Sequence, residues 1–318
     1  MRILTKGKLK LLITMATLVT ITTYIIIKIF IPSNCNYANI MTSDIQQTAT
    51  PKHVPKFGDI VNTRGTIPGA ETFNCIITKK VAPIPVCMCI HEVTNDIHVS
   101  RVFAKYGYWE ELNVKKILRI LQENPTYRFI DIGSNLGGYT LPVLNMNREV
   151  IAVDATTVNI KRLSRSIQLS NTHHLVTLYH NAIYSERTEM VIKAGDKNIG
   201  GSQTDIVKQG AQSTKDEIVK SIYMDDLLET INFTDAVMKI DIEGSELHAF
   251  KKSQNFLDKV KVHYIFMEWV FIKNSPMRET FLASMYRRGY VPYDLFDKPL
   301  DKQTPSMWPW DIVLTLIT

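Results

Sequence analysis

From about residue 107 onward, short and almost wholly apolar runs alternate with longer amphipathic ones. The runs at 128–132, 149–154, 175–179, 236–242 and 262–267 carry few polar positions and read as strands buried on both faces. The stretches at 138–147, 157–170, 244–251 and 276–288 suit helices. Two last apolar runs, 290–296 and 311–317, follow with no clear helix between them. Strand and helix in alternation predict an α/β fold, a Rossmann-like doubly wound sheet with ligands at the carboxyl ends of its strands. The sheet is expected to be mostly parallel, with the two closing strands as an antiparallel pair at one edge. Residues 182–224 mix short strands with a polar, glycine-bearing loop, and 73–106 form an N-terminal extension to a domain spanning 107–318.

The N-terminal pattern differs. Residues 11–27 hold no charge, Lys28 interrupts, and three apolar residues close the run at 31. About 20 apolar residues match a bilayer core. The segment 11–31 is therefore expected to be a transmembrane signal-anchor behind a basic cytosolic tail, 1–10. A cleaved signal peptide is the alternative, but it calls for a shorter apolar region and a small-x-small site. The Pro-, Ser- and Thr-bearing stretch 32–72 reads as a stem. This arrangement predicts a single-pass type II membrane protein with its main domain in the lumen, in the Golgi or endoplasmic reticulum. Charge supports the partition. Arg2, Lys6, Lys8, Lys10 and Lys28 account for most of the net charge of +6, so the remainder is near neutral and no nucleic-acid partner is expected. In an oxidising lumen, Cys75 is expected to pair with Cys87 or Cys89, leaving Cys35 to link two chains. The sequon Asn232-Phe-Thr234 would be usable there.

The strand ending at Ile132 runs into Asp131-Ile-Gly-Ser-Asn-Leu-Gly-Gly138, and Asp154 ends the next strand. A glycine turn ahead of a helix lets backbone approach a ligand, and a carboxylate at the second strand end can accept both ribose hydroxyls. NAD and S-adenosylmethionine both fit that sketch. The dinucleotide fingerprint wants a middle glycine beside the pyrophosphate, and Asn135 stands there instead. Asp131 also suits a cationic ligand part better than a phosphate. S-adenosyl-L-methionine is the favoured cofactor and NAD the alternative.

The segments FIDIGSNLGGYTL, VIAVDATTVN, HNAI and VMKIDIEGSELHAF resemble the FkbM-type methyltransferases, class I S-adenosylmethionine-dependent O-methyltransferases. NIGG at 198–201, SIYMDDLL at 221–228, MEW at 267–269 and WPWDI at 308–312 add to the resemblance, which covers roughly 87–317. One departure is Asp154-Ala-Thr, where the family more often has Glu-Pro. The resemblance implies a class I methyltransferase fold and a hydroxyl-bearing acceptor, with glycans prominent, and the anchor is similar to that of membrane-bound animal members. By position, Asp131, Gly133 and Gly137 would hold the methionine end, Asp154 the ribose, and Asn181 and Ala182 would lie beside the adenine, with Asn135 a further cofactor-binding candidate.

Methyl transfer to an alcohol needs alignment and a base for the departing proton. Lys239, Asp241 and Glu243 alternate along the chain leaving one strand, and Glu268 ends the next, so Asp241, Glu243 and Glu268 are the catalytic candidates. The competing reading is that Asp241 and Glu243 cap the helix starting near Ser245. A divalent metal on the three carboxylates suits their chemistry, but the spacing alone does not indicate one, and none is assigned. Trp269, Trp308 and Trp310 are either sugar-stacking or packing residues. A methyltransferase fold kept only for binding is the non-enzymatic alternative. Oligomeric state is left open.

Overall fold

A computed structural model describes Cys35 and residues 55–78, 85–195, 197–207 and 217–317. The expected anchor and most of the expected stem lie outside these residues. No helix among the described residues is long and apolar enough to cross a membrane.

The chain opens with a hairpin, β1 (Asn74–Ile77) and β2 (Cys87–Ile90), followed by α1 (Ser100–Tyr106) and α2 (Glu111–Glu123). Alternation then begins: β3 (Arg128–Ile132), α3 (Thr140–Asn145), β4 (Val150–Asp154), α4 (Thr157–Leu169) and β5 (Val176–His180). Four strands follow, β6 (Ala182–Ile183), β7 (Glu189–Gly195), β8 (Asn198–Ile206) and β9 (Glu217–Ile222). The chain ends with β10 (Asp235–Ile240), α5 (Glu246–Phe250), α6 (Gln254–Lys259), β11 (Lys261–Glu268), α7 (Arg278–Arg287), β12 (Tyr290–Tyr293) and β13 (Asp311–Leu316).

Seven strands form the main sheet in the order β12-β13-β11-β10-β3-β4-β5. The five from β11 to β5 are parallel, and β13 runs antiparallel to both of its neighbours. The fold is thus a mixed α/β sheet of the methyltransferase type, mostly parallel with an antiparallel pair at one edge. The antiparallel strand is not the outermost, because β13 inserts between β11 and β12. Side-chain alternation splits the strands between two cores. Ile130, Ile132, Ile151, Val153, Met238 and Ile240 face one side, where Leu247, Phe256 and Phe281 cover them. Phe129, Val150, Ala152, Leu178 and Val237 face the other, beneath Phe103, Ile117, Leu141 and Leu163. Strand order reverses between β3 and β10, which opens a crevice at their carboxyl ends.

A second sheet, β6-β9-β7-β8, is formed by the region read as short strands and loop. Residues 55–61, assigned by composition to the stem, lie against the main sheet. The Val61 N–H donates to Leu178 O at 2.8 Å and the His180 N–H to Asp59 O at 2.9 Å. They cover β5, whose open edge would otherwise expose unpaired backbone groups. Two intrachain bridges, Cys75–Cys89 and Cys35–Cys87, tie the hairpin and the segment before it. The expected partner of Cys75 is therefore Cys89. The intermolecular role expected for Cys35 is corrected: Cys87 and Cys89 share a face of β2, and each takes its own partner.

Candidate active site

The cleft at the strand-order reversal encloses about 860 Å³, its open mouth included. Gly133, Asn135, Asp154, Asn181, Ala182, Asp241 and Glu243 all line it, together with Ser202 and Thr204 of β8. Its floor depends on a close backbone approach. Gly133 has φ 82°, and a Cβ there would lie 1.8 Å from the carbonyl oxygen of Asp241. This glycine joins the β3 and β10 ends of the cleft. Gly137 packs α3 against α4, since its Cβ position is 2.5 Å from Leu163. It supports the loop from behind and is not among the lining residues.

Asn135 takes the left-handed conformation (φ 49°), which Asn tolerates better than most residues. Its N–H donates to Asp154 Oδ2 at 2.7 Å, while Asp154 Oδ1 accepts from the Thr156 N–H at 2.8 Å. Burial raises the Asp154 pKa and these backbone donors oppose the rise. The loop N–H that would face a pyrophosphate is thus committed to a carboxylate, which is poor chemistry for a dinucleotide. Asp131 is fully buried, and its Oδ2 accepts from Thr140 Oγ1 at 2.6 Å. Burial pushes its pKa up to about 6 despite nearby Lys239. Asn181 sits beside the cleft, but its amide is already used: Oδ1 accepts from Asp59 N–H at 2.7 Å and Nδ2 donates to Lys220 O at 3.1 Å.

Three buried polar atoms of this loop region have no partner among the described residues: Asp131 Oδ1, Ser134 Oγ and Asn135 Oδ1. Buried polar groups are ordinarily paired, so the loop has the character of a half-made polar site. Together with the carboxylate of Asp154, these atoms fit a cofactor carrying an amine and ribose hydroxyls.

The other half of the cleft is carboxylate-rich. Lys239 Nζ, almost wholly buried, donates to Asp241 Oδ2 at 3.0 Å and lies 5.1 Å from the centroid of the Tyr139 ring. Burial opposes the lysine's charge, but Asp241 and Asp131 outweigh it and keep its pKa above the usual value. Glu268 shares a hydrogen bond with Asp241, and burial and Asp241's charge both raise its pKa. Trp310 Nε1 donates to Glu268 Oε1. Burial and Asp241 push Glu243, in the left-handed region at φ 54°, up to about 7. Asp241, Glu243 and Glu268 are therefore brought into one cluster. No group of three acidic, histidine or cysteine side chains among the described residues has the geometry of a metal site.

Neither Asp241 nor Glu243 caps α5. Glu246, the first residue of that helix, fixes the turn ahead of it: its Oε1 accepts from the N–H groups of Ile242 at 2.9 Å and Gly244 at 3.3 Å. Its spacing from Ile242 is visible in the sequence and was the available signal. Two other neighbours lacked one. Asp311 borders the cluster from β13, where burial and Glu110 push its pKa up to about 6. Gly201 of NIGG places bare backbone against Glu243, whose Oε1 is 3.2 Å from that glycine's Cβ position. The Asp225-Asp226 pair of SIYMDDLL is structural: Asp225 accepts from the Phe256 N–H and Asp226 from Arg187.

A glycine loop on β3, a carboxylate ending β4 and an ionisable cluster across the switch point thus meet at one cleft. The FkbM methyltransferase domain matches residues 131–292, just over half of the chain, and the chain belongs to that family. A search of curated proteins returns no match. Similar solved structures include the methyltransferase domain of METTL16, at 9% identity and TM-score 0.38, covering 80% of this chain and 91% of that one. A putative O-methyltransferase from Klebsiella pneumoniae has 11% identity and TM-score 0.37, with 65% and 80% covered. The tRNA (uracil-54, C5)-methyltransferase of Pyrococcus abyssi, in complex with S-adenosyl-L-homocysteine, has 13% identity and TM-score 0.35, with 77% and 44% covered. At these scores none of them bears on this chain's substrate.

Proposed function

We propose that this chain is an S-adenosylmethionine-dependent O-methyltransferase acting on a hydroxyl of a glycan or related acceptor in the secretory pathway. The observation that carries the reading is the cleft with two chemically different ends. Asp154 and the unpartnered loop atoms stand at one end, and Asp241 with Lys239 and Glu243 stands at the other, Glu268 adjoining Asp241 from outside the lining.

When bound, the cofactor supplies a methyl group already activated on a sulfonium. Asp154 would hold the ribose, and Asp131 with the loop atoms the amino-acid end. Lys239 holds the Asp241 carboxylate by a 3.0 Å hydrogen bond, and Glu268 is hydrogen-bonded to the same group. Asp241 is then the base that receives the acceptor hydroxyl's proton as the oxygen becomes a nucleophile. Glu243 stands beside it on the same loop. The β7–β8 hairpin, through Ser202 and Thr204, walls the cleft and limits water.

The two intrachain bridges and the exposed sequon residue Asn232 support a lumenal domain behind the anchor expected at 11–31. The test is transfer of a labelled methyl group from S-adenosylmethionine to a panel of glycan acceptors. Label in an acid-stable product ether is the expected result. Cofactor binding with no transfer to any hydroxyl would favour a binding module, and binding of NAD alone would favour an oxidoreductase.

A further inference from the structure

Three of the chain's four tryptophans cluster where β11 and β13 pair, beside the contact of Glu268 with Asp241, and they divide sharply. Trp269 and Trp308 are buried at 0% and 5% exposure, with ring centroids 4.8 Å apart, whereas Trp310 is 61% exposed. An indole open to water leaves its apolar faces unburied, and this one is held in a fixed place where a ring could stack on it. The Trp269 N–H donates to Trp310 O at 2.6 Å. Trp269 Nε1 donates to Pro305 O at 2.7 Å, and Trp308 Nε1 to Asp301 O at 2.8 Å. The two buried indoles thus pin the loop that presents the exposed one. The Trp310 N–H in turn donates to Glu268, one of the clustered carboxyl groups. Phe271, 44% exposed, borders the same cluster, since a Cβ on Gly244 would lie 3.7 Å from the Phe271 Cβ.

We propose that Trp310, with Phe271 and the carboxyl groups of Glu268 and Glu243, forms an acceptor subsite that stacks on the ring of an uncharged sugar. The proposal rests on the methyl-transfer reading and names the acceptor class that reading leaves broad. A pyranose presents a face of C–H groups suited to an indole and a rim of hydroxyls suited to carboxyl oxygens. Charge narrows the choice. Among the described residues, Asp241, Glu243, Asp311 and Glu110 gather around Lys239 and Glu268 adjoins Asp241, so carboxyl groups outnumber this cation here. A uronate or sugar phosphate would enter against that field. A neutral ring stacked on Trp310 would bring its hydroxyls to the cluster that contains Asp241.

The test uses the full chain and two variants, Trp310→Ala and Trp310→Phe, titrated by saturation-transfer NMR. The probes are neutral methyl glycosides of glucose, galactose, mannose and N-acetylglucosamine, beside the matching methyl glucuronide and galacturonide. At least one neutral glycoside is expected to bind the wild-type chain. Trp310→Ala should weaken it at least about tenfold, while Trp310→Phe, which keeps a ring and loses the N–H, should stay within about threefold. S-adenosylmethionine affinity should be unchanged in both, and uronides should bind least. Binding of no neutral glycoside, undiminished binding by Trp310→Ala, or preference for uronides would overturn the subsite. Trp310-dependent glycoside binding with no methyl transfer would keep the subsite and defeat the enzymatic reading. Transfer to a peptide hydroxyl that ignores Trp310 would do the reverse.

Discussion

Asp154 at the end of β4 and Glu268 at the end of β11 are both strand-end carboxyl groups held largely out of water, yet their surroundings satisfy them differently. Both oxygens of Asp154 accept backbone N–H groups, from Asn135 and Thr156. Glu268 meets one indole N–H and otherwise faces another carboxyl group, that of Asp241. The first arrangement fixes a charge in one orientation through donors that cannot move. The second sets two carboxyl groups against each other, which raises the Glu268 pKa. Preorganised donors suit recognition of a constant ligand part, whereas a carboxyl group with a raised pKa suits a step in which a proton changes hands. Under the proposed function, the β3–β4 side of the cleft would hold and the β10–β11 side would react. The two meet where Gly133 touches the backbone of Asp241.

Breaking that seam should have the largest effect. Gly133→Ala puts a methyl group 1.8 Å from the Asp241 carbonyl oxygen and a side chain at φ 82°. It should cost at least about 3 kcal/mol, or prevent folding altogether, in chaotrope unfolding. A loss under about 1 kcal/mol would mean that the two halves are not rigidly coupled.

The reacting half alone is probed by Asp241→Asn, which keeps shape and removes the base. Turnover should fall by roughly 10²–10⁴ while cofactor affinity stays within a few-fold and stability barely changes. Near-normal turnover would remove Asp241 from the chemistry and leave Glu243 or Glu268 as candidates.

The smallest effect is one of pH. Folding raises the carboxyl groups of Glu243 and Glu246 from 4.5 to about 7. Asp131 and Asp311 rise from 3.8 to about 6. Between those limits the folded chain keeps protons that the unfolded chain has lost. The stability these groups contribute is therefore fully present below the unfolded values and declines as pH rises toward 7. The decline should be roughly 1–3 kcal/mol for buried Glu246, and less for half-buried Glu243, whose charge water screens. Glu246→Gln should flatten the profile of melting temperature against pH, and an unchanged slope would assign the effect elsewhere.

How much of this could be read from the chain depended on whether the signal was local. The five parallel strands stand out because burial on both faces writes continuous apolar runs such as Phe129-Ile-Asp-Ile132 and Val150-Ile-Ala-Val-Asp154. The glycine loop and Asp154 stand out because their geometry is set within two strands of contiguous sequence. The helices expected at 138–147, 157–170, 244–251 and 276–288 are found as α3, α4, α5 and α7, whereas α1, α2 and α6 were not legible. None of the α-helices makes a side-chain N-cap hydrogen bond, and α1 and α2 begin after Val99 and Glu110, so the usual start signals are missing. The place of β13 between β11 and β12, the cover of β5 by residues 55–61, and the use of the Asn181 amide by Asp59 and Lys220 are all long-range. No spacing along the chain encodes them. Trp310 illustrates the same limit: three tryptophans within 42 residues look alike in sequence, and only packing separates the exposed one from the other two.

The central claim is that the cleft takes S-adenosylmethionine through a carboxylate already oriented by backbone. Calorimetry of S-adenosylmethionine and NAD on the wild-type chain and on Asp154→Ala tests it most directly. The wild type should bind S-adenosylmethionine and not NAD. The variant loses an acceptor of charge-assisted hydrogen bonds, each worth about 1.5–3 kcal/mol, so its affinity should fall about tenfold to a hundredfold in a protein that remains folded. Unchanged affinity in a folded Asp154→Ala protein, or preferential binding of NAD by the wild type, would contradict the account.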